Sequence, residues 1–151
     1  MSGISGIRNL KMVAVGNFRF VVWEDFDKQA IVLSIVDTTT LPSNPTPEQL
    51  NQIFYTGNEV KKTKGPVTHL DLAVEGPIIA IAHDEQIGSG MFSIALCETF
   101  NGNFPFNTCA NPPEIPAEEI GSLQVTIANG EPYVLFTPIL NGVSRPDIFR
   151  H

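Results

Sequence analysis

A chain of 151 residues is long enough for one domain that buries roughly 70% of its unfolded surface. Its 16 acidic and 9 basic residues give a net charge of −7, which disfavours nucleic acid and anionic membrane surfaces, because both need Lys and Arg to neutralise phosphates. No apolar run approaches the ~20 residues of a membrane span, and Met1–Gly6 lacks the basic and apolar regions of a secretory signal. Apolar residues make up 42% and charged residues 17%, far from the composition of a disordered chain. Val, Ile, Thr and Phe punctuated by Gly, Pro and Asn point to strands joined by turns.

In chain order, the first unit holds strands at Leu10–Gly16, Phe18–Asp25 and Ala30–Asp37. Thr46-Pro47-Glu48-Gln49 then offers an N-cap, a first-turn proline and a capping-box Gln, which predicts a short helix over 47–54. An outer strand over Phe54–Val60 follows. The second unit has strands at Leu70–Gly76, Pro77–Glu85 and Met91–Thr99. Cys97 and Cys109 flank an Asn-Gly-Asn turn, a spacing compatible with a disulfide across a hairpin and equally with two reduced thiols; a disulfide would indicate an oxidising compartment. Phe104–Thr108 is the expected outer strand of this unit, and Asn111–Pro116 reads as an extended connector. The third unit has strands at Leu123–Gly130, Glu131–Thr137 and Arg145–His151, with no outer strand after them.

The three units align strand for strand, and their leading residues Leu10, Leu70 and Leu123 are spaced by 60 and 53 positions, somewhat beyond the ~40–50 of propeller blades. The expected organisation is a single domain, 1–151, of three β repeats (8–60, 68–109, 121–151). The middle strands Phe18–Trp23 and Ile78–Ala82 are continuously apolar, as strands covered on both faces are. The fold class is therefore all-β: three antiparallel propeller-like blades forming an incomplete ring, closed by self-association or by a partner chain. The segment Ile4–Arg8 is the candidate to complete a neighbour's last blade.

The pattern Leu-x-Val-x-x-Gly, then Val-Val-Trp-Glu-Asp, then Ser-Ile-Val-Asp resembles the repeats of sialidase-like (BNR-type) β-propellers over 8–37, 68–99 and 121–151. The Asp-box of that family, Ser-x-Asp-x-Gly-x-x-Trp, is absent from all three repeats. The resemblance implies that the loops between second and third strands gather on one face. Glu24, Asp25 and Asp27 would then share a rim with His83, Asp84 and Glu85.

The candidate ligand-binding residues are Trp23, Glu24, Asp25, His83, Asp84, Phe104 and Phe106. The carboxylates suit a hard cation such as Ca²⁺, although no Asp-x-Asp-x-Asp-Gly loop is present and acidic surface loops are ordinarily only solvated. The aromatics suit sugar stacking, against core packing for Trp23. Lys61, Lys62 and Lys64 form the one basic run, read as a solvated loop between units. No catalytic constellation is legible: Arg8, Arg19, Arg145 and Arg150 are the only arginines, and no nucleophile elbow occurs. The expected function is a non-catalytic binding or assembly module, on a cell or particle surface, recognising a glycan or a protein and self-associating through blade edges. A carbohydrate-active enzyme or its inactive relative is one alternative, and a structural subunit of an open array is another.

Overall fold

The alternation of β-branched and aromatic residues with Gly and Asn turns produces strands wherever the repeats place them. The computed structural model describes residues 6–55, 57–99, 109 and 113–150, with the side chains of 53–55 outside that description. β1 (Ile7–Val15), β2 (Phe18–Asp25), β3 (Ala30–Asp37) and β4 (Asn58–Lys62) form a first antiparallel sheet in that order. Between β3 and β4 lies α1 (Pro47–Tyr55). It begins in the expected capping box: Gln49 N donates to Thr46 Oγ1 at 3.2 Å, and Thr46 N donates to Gln49 Oε1 at 2.8 Å.

The second sheet has the order β5 (Leu70–Glu75), β6 (Ile78–Gly88), β7 (Met91–Thr99), β8 (Glu114–Pro116). The fourth strand corrects the sequence reading, which made 111–116 a connector. Glu114, Ile115 and Pro116 pair with Ser93, Phe92 and Met91. Proline is tolerated because β8 lies at the edge, where a missing N–H costs no inner ladder bond. The predicted strand at Phe104–Thr108 lies outside the described residues.

The third sheet is built on β9 (Glu119–Ala128) and β10 (Glu131–Leu140). Its third rank comes in two pieces, β11 (Val143–Ser144) and β12 (Asp147–Phe149), both paired to β10. Arg145-Pro146 separates them, since proline cannot donate to the ladder. Two tight hairpins, at Asn129-Gly130 and Asn141-Gly142, have positive φ at both residues, the backbone a two-residue turn of matching twist requires.

Each apolar middle strand feeds two faces. Phe20 and Val22 of β2 join Ile31 and Leu33 against Leu70, Leu72, Ile79 and Ile81 of the second sheet. Ala80 and Ala82, on the opposite face of β6, join Ile94 and Leu96 against Val125, Val134 and Phe136 of the third. β1 lies against β5 and β5 against β9, so the first strands of the three sheets run along the inner edge of a fan. Burying each such Leu, Ile or Phe stabilises by roughly 1.5–3 kcal/mol, and the two seams form the core.

Cys97 and Cys109 are joined, with Cα atoms 4.3 Å apart, which settles the pairing left open by their spacing. Cys97 is fully buried in the first seam. The segment expected to reach a neighbour is partly engaged at home. Ile7 and Arg8 pair with Asp25 and Glu24, and Gly6 O accepts from Phe26 N at 2.6 Å.

Candidate functional site

The charged residues gather at one end of the first seam, where the last residues of β2 face the last inward residues of β6. Alternation along each strand places them. Arg8, Glu24, Ile31 and Lys61 are register neighbours across the first sheet, on the face that carries Val22 and Leu33. On β6, His83 and Glu85 continue the face of Ile79 and Ile81, so the two rows oppose each other across the seam.

The arrangement is buried. Glu24, His83, Asp84 and Glu85 are all 5% exposed or less, so the expected rim is an interior cluster. The Glu24 carboxyl is raised above its ordinary 4.5, first by burial and then by Asp84 and Glu85, against the lowering effects of Asn9 and Arg8. His83 is pushed down from 6.5 to about 4 by burial and by Lys61. Its Nδ1 lies 3.3 Å from Asp84 O, while among the described residues neither its Nε2 nor Glu85 Oε1 has a hydrogen-bond partner. Lys61 is held below its usual value by burial and by Lys64, against an opposing pull from Glu85.

Asp84 points the other way along the strand and closes the entry to β5. Its Oδ1 accepts from the backbone N–H groups of Thr68 at 2.7 Å and His69 at 2.9 Å. Its Oδ2 accepts from Thr68 Oγ1 at 2.7 Å and from His69 Nδ1 at 2.7 Å. Four donors on one carboxylate compensate for its complete removal from water.

Of the seven residues proposed from sequence, the structure brings together Glu24, His83 and Asp84. Asp25 lies on the opposite face of the first sheet, where its Oδ1 accepts from Lys28 N at 3.0 Å and Oδ2 lies 3.7 Å from Lys28 Nζ. Trp23 is 2% exposed and packs with Val21, Ala30 and Val32, so it is core and offers no stacking platform. Phe104 and Phe106 lie outside the described residues. No three metal-ligating side chains converge among the described residues.

Sequence reasoning missed three participants. Asn9 sits at a bulge in β1 with φ 55 and donates to Glu24 Oε2 at 3.1 Å and to Val67 O at 3.2 Å; nothing in its neighbours announced that bulge. Lys61 belongs to β4 and turns into the seam, where a lysine run had suggested a solvated loop. Pairing of β4 with β3 was the missing information. His69 carries no sequence signal of its own, and only the fold brings it to Asp84.

The chain is similar to a solved exo-1,5-α-L-arabinanase from a bovine ruminal metagenomic library, with a TM-score of 0.53 and 11% identity over 97% of this chain and 54% of that one. A second, looser likeness is to the α-L-arabinanase of Cellvibrio cellulosa, with a TM-score of 0.41 and 7% identity over 95% of this chain and 73% of that one. The first of these structures has a propeller fold. No protein-family model and no curated protein matches the chain. The fold is thus that of a propeller segment, three antiparallel sheets fanned about a common inner edge. The chain spans about half the length of the first of these structures.

Proposed function

We propose that the chain is an assembly module: a three-blade unit that completes a propeller-like ring with a second copy of itself. The outer face of the third sheet carries this reading. Ile148 and Leu135 are register partners on that face and are 61% and 40% exposed, whereas the corresponding faces of the two internal seams are covered. At the far end of the fan, on the outer face of the first sheet, Met12 is 59% exposed. Sheet-on-sheet packing is already used twice within the chain, and a related contact between copies would set the third sheet of each against the part of the other's first sheet around Met12 that the Val21, Trp23 and Val32 core leaves open. A two-fold pair of this kind makes a closed six-blade ring.

Light scattering on the purified chain tests the proposal. A discrete dimer is the expected result, a monomer at all accessible concentrations overturns it, and a ladder of sizes replaces the ring with an open array. A second reading, a carbohydrate-binding or carbohydrate-cleaving protein, draws support from the arabinanase likeness through its fold. A glycan array together with fluorogenic arabinosides distinguishes its two forms, and silence in both removes it.

A further inference from the structure

A hollow of about 450 Å³ opens at the outer end of the first seam, away from the inner strands, and is lined by Lys61, Lys62, Lys64, Glu85, Ser93 and Glu114. Its volume falls within the range that small-ligand sites occupy, roughly 300–1,000 Å³. One wall is basic and the other acidic. Lys62 is committed elsewhere, with Nζ 3.0 Å from Glu59 Oε2 and donating to Lys28 O at 3.3 Å. Lys61 and Lys64 repel each other, and the repulsion adds to burial in holding the Lys61 ammonium below its ordinary value. An anion seated between them would relieve both effects.

The opposite wall has a complementary need. Glu85 lines the hollow but is only 5% exposed, and its Oε1 has no donor among the described residues. A buried carboxylate left short of donors is penalised, and a hydroxyl of a bound molecule reaching the carboxylate from the hollow would relieve it. Neighbouring Ser93 and Glu114, paired with Glu85 and with each other across β6, β7 and β8, offer further polar contacts. The lysine wall is held in place by its backbone. Thr63 N donates to Gln29 O at 2.8 Å, and Gln86 N donates to Pro66 O at 2.9 Å, so little ordering entropy is lost when a ligand enters.

We propose that this hollow binds a small hydroxylated carboxylic acid of sugar-acid size, with its carboxylate between Lys61 and Lys64 and a hydroxyl donating to the Glu85 carboxylate. A neutral sugar leaves the lysines repelling each other, and a simple carboxylate leaves Glu85 without a donor. Only a molecule with both groups a few ångströms apart answers both walls. The site uses residues distant from the exposed face of the third sheet, so it stands or falls independently of self-association.

Calorimetric titration of the full chain with D-galacturonate, D-galactose and acetate tests it. Galacturonate should bind at least tenfold more tightly than either of the others. Lys61→Gln and Lys64→Gln should each weaken galacturonate binding about tenfold, and Lys64, at the surface, can be replaced without risk to the fold. Glu85→Leu should abolish galacturonate binding. Equal binding of galactose or of acetate, an unaltered affinity in Lys64→Gln, or no binding at millimolar galacturonate would each overturn the proposal.

Discussion

The side-chain amide of Asn9 donates to the buried carboxylate of Glu24 at 3.1 Å and to Val67 O at 3.2 Å, so one amide ties the first strand both to its own sheet and to the segment that leads into the second. Its other role is electrostatic, since its hydrogen bond is the strongest influence lowering a carboxyl that burial raises. Asn9→Leu should cost about 1–3 kcal/mol, the penalty for stripping a donor from a buried acceptor. It should also raise the Glu24 pKa further. Urea unfolding at neutral pH and NMR titration of the Glu24 side chain check the two effects, and a variant as stable as the parent refutes the tie.

Acid should loosen the same seam through His83. Its pKa is lowered from 6.5 to about 4 in the folded chain, so the unfolded chain binds the proton more readily between these values. The stability it contributes is present above pH 6.5 and is lost as pH falls towards about 4, by at most about 3 kcal/mol. Glu24 acts in the opposite sense: its raised pKa favours the folded state below 4.5, an advantage lost as pH rises through its folded value. His83→Leu removes the first slope and leaves the second, and Nε2 has no partner among the described residues to lose. Melting temperatures between pH 4 and 7 should fall with acidity in the parent and stay flat or rise slightly in the variant.

The strands were legible because the periodicity of each unit serves its own sheet. The capping box at Thr46–Gln49 was readable for the same reason: its partners lie three residues apart. What could not be read depends on contacts between units. Glu24 and Asp25 are adjacent, and alternation sends one into a seam and the other to the outer face, but the sequence does not say which face another sheet will cover. Lys61 and Glu85 likewise belong to different sheets, and their opposition comes from packing alone. The strand at Glu114–Pro116 was hidden by its prolines, which an edge position tolerates and an inner position would not.

Gly57 should resist replacement by alanine. A Cβ there would lie 2.5 Å from Val32 Cγ1 and 2.6 Å from Trp23 Cη2, both in the small core on the outer face of the first sheet. Neither atom can retreat easily, because Trp23 is almost fully buried. Overpacking of this kind costs about 1–3 kcal/mol. Gly57→Ala should lower the denaturation midpoint and shift tryptophan emission, which reports Trp23 alone as the single Trp of the chain. An unchanged spectrum and midpoint would show that the close approach is not retained in solution.

The Cys97–Cys109 disulfide closes a loop with a sequence separation of 12, and a loop of that length is worth about 2–3 kcal/mol through the entropy it removes from the unfolded chain. Cys97 also packs among Leu33, Ile81 and Leu72 of the first seam. Cys97→Ala/Cys109→Ala should therefore lose the loop contribution and some packing, whereas Cys109→Ser alone leaves a thiol in the core. Unfolding with and without reductant separates these contributions: the double variant should be insensitive to reductant, and the parent should fall towards it.

Self-association through the third sheet makes a sharper demand, because it must break without loss of fold. Ile148 is 61% exposed beside Leu135, so Ile148→Glu leaves the isolated chain as stable as before, within about 0.5 kcal/mol as is usual for surface positions. In an assembled ring the same carboxylate would be buried against the first sheet of the neighbour without a partner, and burial of a lone charge is prohibitive. The variant should be monomeric at concentrations where the parent is dimeric. Each chain carries a net charge of −7, so two copies repel and added salt should strengthen the parent dimer by screening. A contact held mainly by ion pairs would weaken with salt instead. Met12→Glu, on the outer face of the first sheet, should reproduce the effect of Ile148→Glu if the third sheet of one copy meets the first sheet of the other. If only Ile148→Glu dissociates the pair, the two third sheets face each other and the ring does not close.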